Sequence, residues 1–430
     1  MLKYIVVACL GALAAILSNT GIAVFNDGFR PIYPEYFEGK IDRKTLAATS
    51  FAISFGLVVG YGIPVSLAAS IILIHSILLG TDIIGPFCPN NKRGMVIAGV
   101  IGALYGVGIV SGLQAVVNLF KMLPINFLTN LGLVGTPITI AFALFPAVAV
   151  ALEYGLKKGI LTAVATVLVR QIVSRYGTFP LGNSKVTLNQ EGMALLTGMI
   201  FLIVYAVRDK KDASNANEQL VAVFGEKVKR IRKNVPLLAI MGGLIACATS
   251  MSVVAGDPIS LNLLAKGEYT NAAMTAFARA LGFIPLVATT AITTGVYAPA
   301  GMTFVFVVGL LLHGNPVLAF LLGAVVISLE VLLLAAIAKF LDKFPGVRKC
   351  GDNIRTAMTQ VLNIALLIGG MMAAQAIAPG FGLFIVIGLF LLNKFSKKPI
   401  VEMAVGPVGA ISVGILVNIL YALGLYVVAK

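Results

Sequence analysis

Apolar runs close to twenty residues long recur from one end of this chain to the other, beginning at residues 3–24 and ending at 401–428. A helix of that length crosses a hydrocarbon core about 30 Å thick. The chain is 59% hydrophobic and only 11% charged, whereas a soluble domain has about 25% charged residues. These properties predict an all-α polytopic membrane protein and exclude an ordinary soluble domain.

The apolar runs predict fourteen transmembrane helices in two sets of seven. The only long polar segment, 208–234, divides them, so we predict a first repeat over residues 1–207, a basic linker over 208–234 and a second repeat over 235–430. We interpret residues 3–24 as a retained first span, since one lysine is a poor signal-peptide n-region. The approximate spans are 3–24, 45–60, 63–82, 94–113, 135–152, 158–174, 192–207, 235–255, 272–289, 295–313, 316–338, 357–378, 381–393 and 401–428.

The distribution of positive charge predicts the orientation of these spans. Alternating outward from the linker assigns 24 Lys and Arg to the linker's side and seven to the other side. Cytoplasmic loops carry the excess of Lys and Arg, so we place the linker in the cytoplasm and both termini outside. The net charge of +15 then indicates contact with anionic membrane lipid, and we expect no binding of nucleic acid.

Seven is odd, so two related halves would enter the membrane from opposite sides as inverted repeats. Several short motifs match between the halves in the same order: residues 51–58 with 277–284, GYGIPV (60–65) with GVYAPA (295–300), and VIGALYG (100–106) with LLGAVVI (321–327). A histidine then approaches the end of each matched span, His75 and His313. The alternative interpretation is coincidence, because small and aliphatic residues match easily in membrane sequence.

The stretch ATTAITTGVYAPAG (288–301) predicts an interrupted helix in span 10, and GYGIPVS (60–66) predicts one in span 3. Transporters with inverted repeats bind substrate near the bilayer midplane, where discontinuous helices meet. A helix from Pro299 to His313 would be about 22 Å long at 1.5 Å per residue, too short to span the core, and proline suits a first helical position. The alternative is two interhelical turns at opposite surfaces. The predicted substrate-binding residues are Tyr61, Pro64, Ser66, Thr289, Thr290, Thr293, Thr294, Gly295, Tyr297 and Pro299.

Charged and polar residues inside or beside spans give further candidates. Glu330 lies near the middle of span 11, where a carboxylate costs about 2.5 kcal/mol or more and usually faces a cavity or a partner. We predict that it couples transport to an ion, with Asp82, His75 and His313 as further coupling candidates; a protonated Glu330 bonded to a neighbouring helix, and interfacial positions for the other three, are the alternatives. Arg279 is expected to snorkel outward or pair with an acid. The predicted gate residues, for which helix capping is the alternative, are Asn26, Asp27, Arg30, Asp352, Asn353 and Arg355.

Four motifs together resemble the YhfT family of bacterial inner-membrane proteins, and the resemblance spans nearly the whole chain. They are FNDGFRP (25–31), GFIPLVATTAITTGVYAPAGMTF (282–304), VVISLEVLLL (325–334) and GDNIRTAM (351–358). The resemblance implies a transporter of the bacterial inner membrane and supplies neither a substrate nor a binding residue. The seven-plus-seven arrangement is also similar to the uracil-permease and sulfate-transporter architecture. That likeness implies short strands and half-helices at spans 3 and 10, with a core of spans 1–4 and 8–11 that moves against a gate of spans 5–7 and 12–14.

The leading functional prediction is a secondary active transporter that moves a small polar or anionic metabolite by alternating access, coupled to protons or sodium. A membrane permease that works with separate soluble phosphotransferase-type partners is one alternative, and an intramembrane enzyme is another. The chain has no GxxxxGK[ST] sequence, so it does not hydrolyse ATP through a P-loop. We expect no enzymatic activity, no cofactor and no metal site. The expected partners are the substrate, a coupling ion, membrane lipid and a second copy of the chain in a homodimer.

Overall fold

The computed structural model describes residues 1–181, 184–209, 218–343, 345–397, 399 and 402–427. Before the linker the helices are α1 (Leu2–Thr20), α2 (Ile32–Phe37), α3 (Arg43–Leu57), α4 (Ile63–Ala69), α5 (His75–Phe87), α6 (Lys92–Met122), α7 (Leu128–Leu131), α8 (Gly135–Tyr154), α9 (Leu156–Tyr176) and α10 (Gln190–Arg208). From the linker onward they are α11 (Glu218–Lys233), α12 (Val235–Ser250), α13 (Pro258–Ala265), α14 (Tyr269–Thr294), α15 (Phe304–Leu311), α16 (Pro316–Lys343), α17 (Pro345–Ile377), α18 (Gly382–Phe395) and α19 (Glu402–Ala422). The strands are β1 (Ile72–Leu73), β2 (Thr178–Leu181), β3 (Ser184–Thr187) and β4 (Val254–Ala255).

Six helices in the described part of the chain are long and apolar enough to cross a membrane, or up to eight if each of two bent pairs forms one span. This confirms the helical membrane class. The number fourteen stays a prediction, because several predicted spans fall on shorter helices. In particular, α5 has 13 residues and α15 has 8, since the chain leaves the helical conformation just before each of them.

Glycines allow two pairs of long helices to pack closely. Gly11 of α1 faces Gly102 of α6, and Gly242 of α12 faces Gly323 of α16. A side chain on any of the four would overlap the backbone or a side chain of the partner helix. Small residues at such contacts let membrane helices approach at backbone distance, so these two pairs form closely packed supports for the shorter helices.

Two short parallel pairings cross between the first and second parts of the chain. In one, β1 pairs with β4 and Ile72 lies opposite Val254. In the other, Ala23 lies opposite Tyr297, and the Val24 N–H donates to the Tyr297 carbonyl at 2.9 Å. Backbone groups within a bilayer must find partners inside the protein, and these pairings supply them where the helices stop. Each extended segment closely follows a residue with positive φ: Gly21, Ser70, Ser252 or Gly295.

The interruption in span 10 lies within the predicted stretch 288–301, since α14 ends at Thr294, whereas the interruption in span 3 comes later than predicted. The chain is helical from α3 through α4, because residues 58–62 form a π-helical turn, and the extended segment comes only after Ser70. In the second part, the helix predicted from Pro299 begins instead at Phe304. Positive φ values at Gly301 and Thr303 prevent an earlier start, since a right-handed helix requires negative φ.

The helices form two groups. The first group, which we call the core bundle, contains α1, α3–α6 and α12–α16, with α1 packed along α6 and α12 along α16. The second group, which we call the outer bundle, contains α8–α10 and α17–α19, with α17 packed against α8 and α19. The bundles meet where α14 contacts α10 and α17 and where the π-helical turn contacts α19.

Segments predicted to be cytoplasmic contact one another. Arg43 Nη2 donates to the Gly85 carbonyl at 2.9 Å, and Arg230 Nη2 donates to the Gly21 carbonyl at 3.2 Å. The Lys227 side chain lies beside Gly295. In each contact, both partners lie in loops or helix ends that the charge analysis places near one membrane face. Helix α14 reaches that face only at its last residues, just before Gly295.

Candidate functional site

A cavity of about 420 Å³ lies between the core bundle and α17 of the outer bundle. The segment after α1, the π-helical turn, α5, α14 and the segment before α15 form its walls together with α17. Its volume lies within the range of about 300–1,000 Å³ that is usual for small-molecule sites. The polar side chains that line it are Asn26, Asp27, Arg30, Tyr61, His75, Arg279, Thr303 and Thr359.

Arg279 of α14 is a deeply buried charged group on the second-half side of the cavity, with 3% of the side chain exposed. Its Nε lies 3.6 Å from Asp257 Oδ2, and its Nη1 donates to the Gly256 carbonyl. Asp257 also caps α13, where its Oδ1 accepts from the Ser260 N–H at 2.8 Å. Arg279 Nε and Nη2 have no hydrogen-bond partner within the described residues, so the guanidinium retains donor capacity beside the cavity.

The first-half side of the cavity carries a second ion pair, between Asp27 and Arg30. Asp82 of α5 holds the adjoining backbone, because its carboxylate accepts from the Phe25 N–H at 3.1 Å and from the Asn26 N–H at 2.7 Å. Arg30 is 1% exposed and Asp82 is 2% exposed. Asp82 therefore positions the loop that presents Asp27 and Arg30, and it does not line the cavity itself.

Tyr61 and His75 are brought together at the cavity wall although they lie in different helical segments. The His75 ring meets the Tyr61 ring edge-on, with centroids 5.1 Å apart, and the Phe25 ring at 5.0 Å. The Tyr61 hydroxyl and His75 Nδ1 have no hydrogen-bond partner among the residues that the structure describes. Both residues line the cavity, so these two buried atoms are candidate partners for a polar ligand.

Glu330 lies behind the cavity wall and holds the interrupted segment before α15. Its Oε2 accepts from the Tyr297 hydroxyl at 2.9 Å and from the Met302 N–H at 2.8 Å. The side chain is 7% exposed, and Oε1 has no partner in the described part of the chain. A side chain at Gly301, which lines the cavity, would overlap this carboxylate. The Glu330 carboxylate therefore contacts the segment that forms part of the cavity wall.

The family model of YhfT, described as a protein of unknown function, matches residues 3–426. The chain belongs to the YhfT family. It is 39% identical over 443 aligned residues to the uncharacterized protein YhfT of Escherichia coli strain K12, covering 100% of this chain and 99% of that relative. No solved structure matches it. The family resemblance predicted from the four motifs is thus confirmed.

Several predicted binding residues of this YhfT-family chain support the interruptions and do not line the cavity. Ser66 Oγ lies 3.0 Å from Ser76 Oγ and accepts from the Leu73 N–H at 2.8 Å. Thr290 and Thr294 lie on helix α14 rather than on an extended segment, and their hydroxyls donate to carbonyls one turn earlier. The other predicted binding residues that do not line the cavity are Pro64 in α4, Gly295 at the end of α14, Tyr297, whose hydroxyl donates to Glu330, and Pro299 in the following turn.

The remaining predicted residues lie elsewhere. His313 is exposed beyond α15, where it stacks on Tyr269 at 3.7 Å, so it does not correspond in position to His75. Asn353 of α17 donates to Glu153 of α8 and does not reach the cavity. The side chains of Thr289, Thr293, Asp352 and Arg355 lie outside the described residues, although their backbone is helical.

Sequence reasoning missed Asp257, Gly256 and Thr303, and it did not assign Arg279 to the site. The signal for the pair was present in two facts: Arg279 follows the start of an apolar span, and Asp257 precedes a proline in a helix-capping pattern. Their separation along the chain concealed the contact. Intramembrane charges usually face a partner or a cavity; Arg279 and Asp257 are partners, and Arg279 also lines the cavity.

Proposed function

We propose that this YhfT-family protein is a secondary active transporter that moves a small polar or anionic metabolite across the bacterial inner membrane by alternating access. The observation that carries the proposal is the cavity between the core bundle and the outer bundle, whose mostly apolar wall includes charged and polar side chains. A shift of one bundle against the other would change which side of the membrane this cavity faces. The buried Arg30 and Arg279 are the groups that would attract an anion.

The proposal includes two inverted repeats of seven spans. Residues of α1 and its extended segment correspond to residues 231 positions later, as Gly11 does to Gly242 and Ala23 does to Val254. Residues around β1 correspond to residues 225 positions later, as Ile72 does to Tyr297. Under these two offsets the pairing of Ile72 with Val254 becomes a pairing of Tyr297 with Ala23, which is the second pairing observed.

Contacts between helices follow the same offsets to within one residue, since Gly85 and Gly309 are 224 positions apart. Gly85 of α5 meets Ser18 of α1, and Gly309 of α15 meets Thr249 of α12. Ser18 and Thr249 are again 231 positions apart. Chance similarity of membrane sequence gives no reason for backbone pairings and helix contacts to follow the same two offsets to within one residue, so these contacts support a common architecture for the two halves.

The proposed orientation places the linker in the cytoplasm and both termini outside. It follows from the excess of Lys and Arg in the segments assigned to the linker's side, as expected for cytoplasmic loops. The contacts of Arg43 and Arg230 with helix ends near that face are consistent with this arrangement.

We assign coupling to Glu330. Its Oε1 is buried without a partner among the described residues, so a proton or a sodium ion at this oxygen would reduce the cost of burying the charge. The hydrogen bonds from Tyr297 and Met302 connect the carboxylate to the segment that forms part of the cavity wall. Loading and unloading of the ion would therefore alter the wall that faces the substrate.

Uptake into proteoliposomes tests the proposal. Purified protein is reconstituted, and labelled metabolites are screened under an imposed proton gradient, an imposed sodium gradient or neither. Accumulation that requires one of the gradients supports a secondary transporter. Accumulation that requires an added phosphocarrier and soluble transferase, or chemical conversion of the solute without movement across the bilayer, would refute it in favour of the permease or enzyme alternatives.

A further inference from the structure

We infer that the cavity binds an amphipathic organic anion, with its carboxylate on Arg279 and its apolar body against the aromatic and aliphatic wall. The inference rests on the proposed function for its biological meaning. The site itself is argued from the contacts of Arg279, from the composition of the wall and from the charges around the cavity.

The guanidinium of Arg279 is held on most of its sides, and one group is left for a ligand. Rings flank it, with the Phe283 and Phe306 centroids 5.2 Å and 5.3 Å from Cζ. Nη1 donates to the Gly256 carbonyl, and Asp257 lies near Nε. Nη2 occupies the space that a side chain at residue 256 would fill, and it has no partner in the described part of the chain.

An arginine can only donate hydrogen bonds, so the ligand group beside Nη2 must accept them. A carboxylate supplies two acceptor oxygens and a charge, and charge-assisted bonds are about twice as strong as neutral ones. The Tyr61 hydroxyl, also without a partner among the described residues, provides a second donor in the cavity lining. An ammonium group offers no acceptor to these two donors.

The rest of the wall is apolar. Leu57, Leu79, Phe283, Val287, Phe306 and Leu362 line the cavity together with the polar groups already described. Among the described lining residues the one carboxylate is Asp27, which is paired with Arg30. The wall therefore favours a ligand with one anionic end and an apolar body over a polyol or a dianion.

Calorimetric titration of the reconstituted protein with 3-phenylpropanoate, 3-phenylpropanamide and 3-phenylpropylammonium tests this assignment. The three compounds share one apolar body and differ in the polar end. We expect the carboxylate to bind saturably and at least about tenfold more tightly than the amide, because the amide cannot form a charge-assisted bond. The ammonium compound should show no saturable binding. Equal binding of all three compounds would overturn the assignment.

Variants of the binding arginine identify the site. Arg279→Gln should weaken carboxylate binding to the level of the amide, whereas Arg170→Gln, which removes an arginine paired with Glu191 away from the cavity, should leave it unchanged. Since Arg279→Gln leaves Asp257 buried without its cation, the double variant Arg279→Gln/Asp257→Asn removes both charges and should also lose the preference. Retained preference in both Arg279 variants would overturn the assignment, and so would its loss in Arg170→Gln.

Uptake of labelled 3-phenylpropanoate separates this inference from the proposed function. Binding that depends on Arg279 without gradient-driven uptake supports the ligand class and contradicts the transporter proposal. Gradient-driven uptake of some other solute, with no saturable binding of 3-phenylpropanoate, overturns the ligand class and leaves the transporter proposal standing.

Discussion

Replacement of Gly301 by alanine would test the contact between the cavity wall and Glu330. Gly301 has φ of 55°, and a left-handed backbone costs a residue with a Cβ about 1–2 kcal/mol. Its Cβ would also overlap the Glu330 carboxylate and lie 3.3 Å from Ile327 Cγ1, and overpacking costs about 1–3 kcal/mol. We therefore expect Gly301→Ala to lower the free energy of unfolding by about 2–5 kcal/mol.

Gly314→Ala is the matched control, because Gly314 has φ of 80° and an added Cβ would meet nothing within 4 Å. Gly314→Ala should lower the free energy of unfolding only by the cost of a left-handed backbone, about 1–2 kcal/mol. Both variants are measured by denaturant titration of helical circular dichroism in detergent micelles. The double variant Gly301→Ala/Glu330→Asp places a shorter acid at the contact. Its loss in free energy of unfolding should differ from the sum of the two single-variant losses by about 1–2 kcal/mol. Equal losses for the two alanine variants, with full additivity in the double variant, would refute the contact.

Three further predictions concern coupling, the threonines and the strand pairing. Glu330→Gln should abolish gradient-driven accumulation while preserving exchange, measured as uptake and as counterflow in the same proteoliposomes; unchanged accumulation would remove Glu330 from coupling. Thr294→Val should lower the free energy of unfolding by about 1 kcal/mol, because Thr294 Oγ1 accepts from the Val296 N–H at 3.1 Å, and it should leave ligand affinity unaltered; a tenfold weaker titration would return Thr294 to the binding site. The double variant Leu73→Cys/Ala255→Cys, made in a background without the four native cysteines, should form a disulfide under mild oxidation. The reason is that paired strand residues lie about 5 Å apart, within disulfide range. A double variant that remains reduced, like its single-variant controls, would contradict the register.

The sequence predicted the interruption after α14 in the correct stretch but placed the interruption near span 3 a few residues too early, and the reason is local. GYGIP (60–64) looked like a break because glycine and proline disfavour ordinary helix. In the structure the glycines instead accommodate a wider π-helical turn, and Pro64 lies in the first turn of α4 where its missing N–H is tolerated. The signal at Ser70 was weak, because serine rarely adopts positive φ and carries no sequence mark of doing so.

The candidate site shows the same division between local and distant information. Tyr61, His75, Asn26, Asp27 and Arg30 were predicted from their residue types inside or beside apolar spans, and all five line the cavity. The threonines were predicted to bind the ligand, because composition does not show that their hydroxyls donate to carbonyls of their own helix.

Distance along the chain concealed the other half of the site. Asp257 meets Arg279 only because α13 and α14 pack against each other. The residue pattern within a single helix does not predict this contact between Asp257 and Arg279.

The pairings of β1 with β4 and of Ala23 with Tyr297 have a consequence for biogenesis. Each pairing joins a segment synthesised before the linker to one synthesised after it. A nascent chain that ends at residue 234 has therefore inserted the segments around Ala23 and Ile72 without their backbone partners. Such groups are costly in a bilayer, and the early half would remain a substrate for insertion chaperones and membrane proteases until translation is complete. Co-expression of the two halves as separate polypeptides should therefore protect each from degradation.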